Sequence, residues 1–125
     1  MPVNPTDDLA PLAKAIDGLL YPSESDEPFD LFRWGPATAP ADARAQVLSH
    51  ATATQPIKEL SLDDFFAPLE TTDDAPRFRA LRQALAATLT DLRIFRVGSI
   101  RVGIYLIGKT PSAQWAGAHT TSVET

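Results

Sequence analysis

Two short segments at opposite ends of this chain concentrate oxygen-bearing side chains. Ser23-Glu24-Ser25-Asp26-Glu27-Pro28-Phe29 offers carboxylates and hydroxyls in a turn-forming context. Thr120-Thr121-Ser122-Val123-Glu124-Thr125 is expected to end in two carboxylates, Glu124 and the free C-terminus, beside the Thr125 hydroxyl. Neither segment pairs a nucleophile with its base. Both suit a protein that presents oxygen atoms to something cationic.

Other constellations are weaker. A metal site needs clustered His, Asp or Glu, whereas His50 and His119 are isolated and outside any HxH or HExxH pattern. Glu24 with Asp26, and Asp63 with Asp64, are available carboxylate pairs. Acid–base work needs unequal burial to separate their pKa values, and polar turns leave both members ionised. Asp63, Asp64, Asp73 and Asp74 read first as solvated acids and helix caps. Gly108-Lys109-Thr110 has the letters of a phosphate-binding ending without the glycine-rich loop or the following helix, so it reads as a strand exit. Trp34 ends a strand-like stretch and reads as packing. Trp115 falls in a turn, where an exposed ring is an interface anchor unless it folds back over its own hairpin.

Charge is distributed unevenly over the 125 residues, whose net charge is −5. Residues 1–30 hold seven acids against Lys14 alone, and residues 59–74 hold Glu59, Asp63, Asp64, Glu70, Asp73 and Asp74 with no base. Residues 77–109 reverse this with seven bases against Asp91. An acidic surface repels nucleic-acid phosphate and speeds encounter with a basic protein, or it serves solubility alone. The chain has no cysteine, which excludes disulfides and thiolate chemistry. Its start has no basic region followed by an apolar core, so no signal peptide is expected, and no apolar run approaches a membrane span. A cytoplasmic setting fits.

The elements that must position these groups follow from periodicity. Thr6-Asp7-Asp8 ahead of Leu9, Leu12, Ala13, Ile16, Leu19 and Leu20 predicts a capped amphipathic helix with Pro11 in its first turn. Phe29 to Trp34 alternates as a strand ended by Gly35-Pro36, with Phe29, Leu31 and Arg33 on one face. A short helix is expected from Ala41 to Ala51, with Ala43, Val47 and Leu48 inward, then a small strand or turn over Ile57–Leu60. Ser61-Leu62-Asp63-Asp64 has capping-box spacing and predicts a helical turn carrying Phe65, Phe66 and Leu69, limited by Pro68. Phe78, Leu81, Leu85, Leu89 and Leu92 form one helical stripe, capped by Thr72-Asp73-Asp74. Ile94–Val97 and Ile100–Ile107 predict a hairpin over Gly98-Ser99, the second strand central because both its faces are apolar. Residues 118–125 return beside it. The result is one α/β (α+β) domain over 1–125, with a mixed or antiparallel sheet of about four or five strands and helices packed on it.

The motifs also resemble a known family. Gly18 to Phe29, Ser61 to Pro68, Ile104 to Thr110, Trp115-Ala116-Gly117 and Ser122 to Thr125 are similar, in order and spacing, to motifs of the bacterial nuclease A inhibitors. The resemblance implies a three-layer α/β/α sandwich; an enzyme on such a fold is disfavoured by the missing catalytic constellation. The resemblance also implies an inhibitor of a metal-dependent, non-specific nuclease, with Mg²⁺ expected only in the partner and no cofactor in the inhibitor. Ser23, Glu24, Asp26, Asp73, Asp74, Trp115, Glu124 and Thr125 are the expected partner contacts. Glu24 would meet a cleft arginine or lysine, and Thr125 the enzyme's metal directly or through water. The third contact loop reads Thr71-Thr72-Asp73-Asp74-Ala75-Pro76 and lacks the aromatic residue the family leads one to expect after its aspartates. The other reading is a small adaptor domain that binds an unrelated basic protein. In either case a monomer without direct nucleic-acid or membrane contact is expected.

Overall fold

A computed structural model describes residues 9–36, Ala43, Arg44, Val47 and 56–124, without the side chains of Gly35 and Pro36. Its main element is a five-stranded sheet in the order β3-β7-β6-β5-β4, antiparallel throughout. The strands are β3 (Asp30–Pro36), β4 (Ile57–Leu60), β5 (Thr90–Val97), β6 (Arg101–Lys109) and β7 (Gln114–Val123). A separate two-stranded ribbon pairs β1 (Leu20–Tyr21) with β2 (Glu27–Pro28). Helices α1 (Ala10–Ile16), α2 (Leu62–Phe66) and α3 (Ala75–Thr88), with a 3₁₀ turn at Ala67–Thr71, complete the set. Among the described residues no helix is long and apolar enough to cross a membrane.

β6 is the middle strand, as its two apolar faces require. Ile104 and Leu106 point into a core shared with Leu12, Ile16, Phe66, Phe78, Leu81 and Leu85 from the helices. Tyr105 and Ile107 point the other way, into a cluster with Phe95, Val97, Trp115, Ala43 and Val47. Phe29 and Leu31 follow the first cluster, and Phe32 and Trp34 the second, as the alternation of that strand predicts. On the second face, Ala43 and Val47 are buried and helical and Arg44 is helical and exposed, and the other residues of the expected 41–51 helix, Leu48 included, lie outside the described residues. What stands is therefore the mixed α+β sheet with helices on it.

Local chemistry explains the boundaries. The Asp64 N–H donates to the Ser61 hydroxyl at 3.0 Å, which starts α2 as the capping-box spacing predicts. Pro68 ends the α-helical part, and the chain continues as a 3₁₀ turn. The leucine stripe outruns its helix: Leu89 is already extended and Leu92 lies in β5, within an irregular pairing between Thr90 and Arg93 where Asp91 has φ of 52°. The expected cap of the first helix, residues 6–8, lies outside the described residues, and Leu20 leaves the helix for β1. The β5–β6 turn is longer than the expected Gly98-Ser99 pair. Gly98 takes φ of 114°, and Ile100 belongs to the turn while its carbonyl accepts the Glu124 N–H at 2.7 Å. At Gly117 a Cβ would stand 1.8 Å from the Leu106 carbonyl oxygen, so β7 can lie this close to β6 only with glycine there.

Candidate partner-binding site

The two oxygen-rich segments, far apart in sequence, meet in space. Ser23 is the joint. Its hydroxyl donates to the Ser25 carbonyl at 2.6 Å and accepts the N–H groups of Ser25 at 3.3 Å and Val123 at 3.1 Å. One residue on, the Glu24 N–H donates to the Val123 carbonyl at 3.1 Å. Below this the Thr120 hydroxyl donates to the Pro28 carbonyl at 2.9 Å. The acidic turn is thus laced along the last residues of β7 by backbone and hydroxyl groups, which leaves its carboxylates outside the lacing.

The carboxylates then divide into two sets. Glu27 lies 3.8 Å from the Arg101 guanidinium and accepts from the Ser25 hydroxyl at 3.4 Å. Glu124 is ion-paired with Arg96 and accepts from the Ser122 hydroxyl at 2.7 Å. Tyr21 feels this pair: burial pushes its phenol pKa up, Arg96 works against that rise, and Glu124 adds to it. Among the described residues, Glu24, Asp26, Asp73 and Asp74 are exposed and make no salt bridge or side-chain hydrogen bond.

Asp73 and Asp74 belong to the same end of the molecule. α3 is followed directly by β5, so the two run in opposite directions. Phe78, near the start of α3, packs edge-on to Phe29 at 6.4 Å, while Leu89, just past its end, abuts Gly108 at the far end of β6. The start of α3 therefore faces the end of the sheet that carries the acidic turn. Arg77 ties it there by donating to the carbonyls of Ala15 at 3.1 Å and Asp17 at 2.5 Å, the exit of α1 into that turn. Asp74 caps α3 through its backbone carbonyl alone, to the N–H groups of Arg77 at 2.8 Å and Phe78 at 3.0 Å. The expected side-chain cap is not formed, and the aspartate carboxylate stays available.

Other expectations change. Trp115 is not an exposed turn residue; it lies inside β7, fully buried in the second cluster, with the Lys109 ammonium 5.7 Å from its ring. Strand pairing with Lys109 carries it inward, a consequence of sheet order that its local sequence does not reveal. Thr125 lies outside the described residues. Arg96 and Arg101 were visible only as members of a basic run, since nothing local in the sequence marks which acids they meet. His119 is half-buried beside Tyr105, and among the described residues no three His, Asp or Glu stand where they could hold a metal.

What this end of the sheet offers is a set of exposed carboxylates, unpaired among the described residues, around a turn whose backbone is held by hydrogen bonds, suited to meeting several cations at once. The sequence model of the Nuclease A inhibitor-like protein family matches residues 6–125. No curated protein matches the chain.

Proposed function

Because the chain belongs to the Nuclease A inhibitor-like family, we propose that it inhibits a metal-dependent, sugar-non-specific nuclease by seating this acidic end in the active-site cleft. The observation that carries the reading is the convergence of Glu24, Asp26, Asp73 and Asp74, unpaired among the described residues, on one end of the sheet, with Ser23 holding the backbone of the first turn against β7.

A cleft that binds polyanionic substrate is lined with Arg and Lys around a divalent cation. Carboxylates held at fixed positions stand in for phosphate oxygens there, and charge complementarity raises the rate of encounter. Glu24 and Asp26 take the place of substrate phosphates on the cleft's cations. Asp73 and Asp74 contact a second basic site, and the Thr125 hydroxyl approaches the enzyme's Mg²⁺. Ser23 and Glu124 act indirectly, by holding the turn and the end of β7 in place. On this reading the inhibitor works as a monomer by occupancy, in the cytoplasm, with a three-layer sandwich fold, a reading supported by the buried helical residues Ala43 and Val47 on the second sheet face.

The test is titration of the purified protein against a Mg²⁺-dependent endonuclease that cuts both DNA and RNA. Stoichiometric loss of both activities is expected, with an association rate that falls steeply as ionic strength rises. Intact cleavage at a large molar excess of folded protein would sink the reading. It would leave the adaptor alternative, a different basic protein bound at the same surface.

A further inference from the structure

The described residues expose two large apolar side chains, and both stand at the acidic end. Ile100 is 61% exposed and Leu20 is 44% exposed. Leu20 pairs with Pro28, whose carbonyl receives the Thr120 hydroxyl. The Ile100 carbonyl receives the Glu124 N–H, and the Val123 carbonyl receives the Glu24 N–H. Ile100, the end of β7 and Glu24 therefore occupy three successive lanes. At about 4.8 Å per lane, the Ile100 backbone is about 10 Å from that of Glu24. A protein interface of ordinary size, about 800 Å² on each partner, covers both positions.

We propose that Ile100 is the apolar anchor of the nuclease-binding surface, seated on non-polar surface that borders the partner's cationic cleft; this rests on the inhibitor reading above. Carboxylates by themselves give fast, salt-sensitive encounter with any basic surface and little selectivity. A desolvated apolar contact beside them slows dissociation and requires a partner with a matching patch. Trp115, the tryptophan whose sequence position suggested this role, is wholly buried and cannot fill it. Ile100 also does little for the fold, since its side chain projects from a turn whose other groups are held by backbone bonds from Gly98 to Pro56 and from Glu124 to Ile100.

The experiment measures association and dissociation of Ile100→Ser and Ile100→Leu with the same Mg²⁺-dependent endonuclease. Ile100→Ser is expected to raise the dissociation rate about tenfold with little change in association, and Ile100→Leu to restore slow dissociation. The chain has no cysteine, so Ile100→Cys provides a single thiol. That thiol should react freely with a maleimide in the isolated protein and be shielded in the complex, which reads the contact directly even if Ile100→Ser disturbs folding. Unchanged dissociation and an unshielded thiol in a protein that still binds would overturn the proposal. So would shielding that grows with the protein's own concentration in the absence of nuclease, since that assigns Ile100 to a contact between copies. Failure of the unmodified protein to bind the endonuclease would defeat the inhibitor reading itself.

Discussion

The Val123 N–H donates to the Ser23 hydroxyl at 3.1 Å across a sequence separation of 100 residues. This contact fixes the acidic turn against the end of β7 and makes Ser23 a positioning residue. Ser23→Ala leaves the Val123 N–H without its partner and frees the turn. The expected loss of stability is about 1 kcal/mol. Inhibition should fall by more than that, because Glu24 and Asp26 lose their fixed spacing. Denaturant unfolding set beside an inhibition titration checks this, and equal losses in the two would reduce Ser23 to a stabilising contact only.

Glu24 should behave in the opposite way. It is exposed, its backbone N–H alone is tied down, and among the described residues its carboxylate is unpaired. Glu24→Ala should leave the melting temperature unchanged and weaken the complex by roughly 2–5 kcal/mol, because it strands a partner cation that is buried on binding. Calorimetric titration of the variant and a melting curve decide it. A parallel drop in both would make Glu24 structural.

The close approach of β7 to β6 gives a prediction about the fold. A methyl group at position 117 would stand 1.8 Å from the Leu106 carbonyl oxygen and 2.9 Å from its carbon, both backbone atoms. No side-chain rotation relieves that contact. Gly117→Ala should therefore cost about 3 kcal/mol or more in stability by forcing the central strands apart. A variant as stable as the parent in urea would show that these strands pair differently.

His119 supplies a pH dependence. Burial holds its pKa below the usual value near 6.5, with Asp30, its cross-strand neighbour, opposing the shift. The unfolded chain then binds the proton more tightly than the folded one. Stability should be fully present above about 6.5 and decline as the pH falls from there through the lower folded-state value. His119→Gln should flatten this part of the profile, so an unchanged slope between pH 7 and 5 would assign it to other groups.

How much of this was legible in the sequence depended on the range of each interaction. Ser61 capping α2 involves residues three apart and could be read directly, as could the central strand, whose two apolar faces demand cover. The leucine stripe located α3 but overshot into β5. A periodic apolar pattern survives a change from helix to strand when both bury the same face, and Leu92 still packs on the core from its strand. Trp115 was misplaced because turn residues precede it while its burial follows from pairing with Lys109. The union of residues 23–27 with 120–124 was beyond local reading altogether. Composition showed that each segment was rich in oxygen, but only sheet register brings Ser23 to Val123 and commits Glu124 to Arg96.

That commitment bears on the residue that follows Glu124. The Glu124 side chain is held by Arg96 and by the Ser122 hydroxyl, and its N–H by the Ile100 carbonyl at 2.7 Å. Position 125 is therefore bonded to a residue whose backbone and side chain are both fixed. On the inhibitor reading, a fixed Glu124 lowers the ordering cost of a contact made by the next residue, about 1–2 kcal/mol for each residue ordered on binding. Thr125→Val keeps the shape of the side chain and removes one hydroxyl. Inhibition should weaken about tenfold, the worth of a hydrogen bond to a charged or metal-bound group, while the melting temperature stays constant. Arg96→Leu, which releases Glu124 without touching position 125, should reduce the effect of Thr125→Val, since a loosened residue has less well-placed contact to lose. A double-variant cycle on the inhibition constant measures that coupling. Strict additivity would mean that Arg96 and Glu124 stabilise the sheet end without presenting Thr125 to anything.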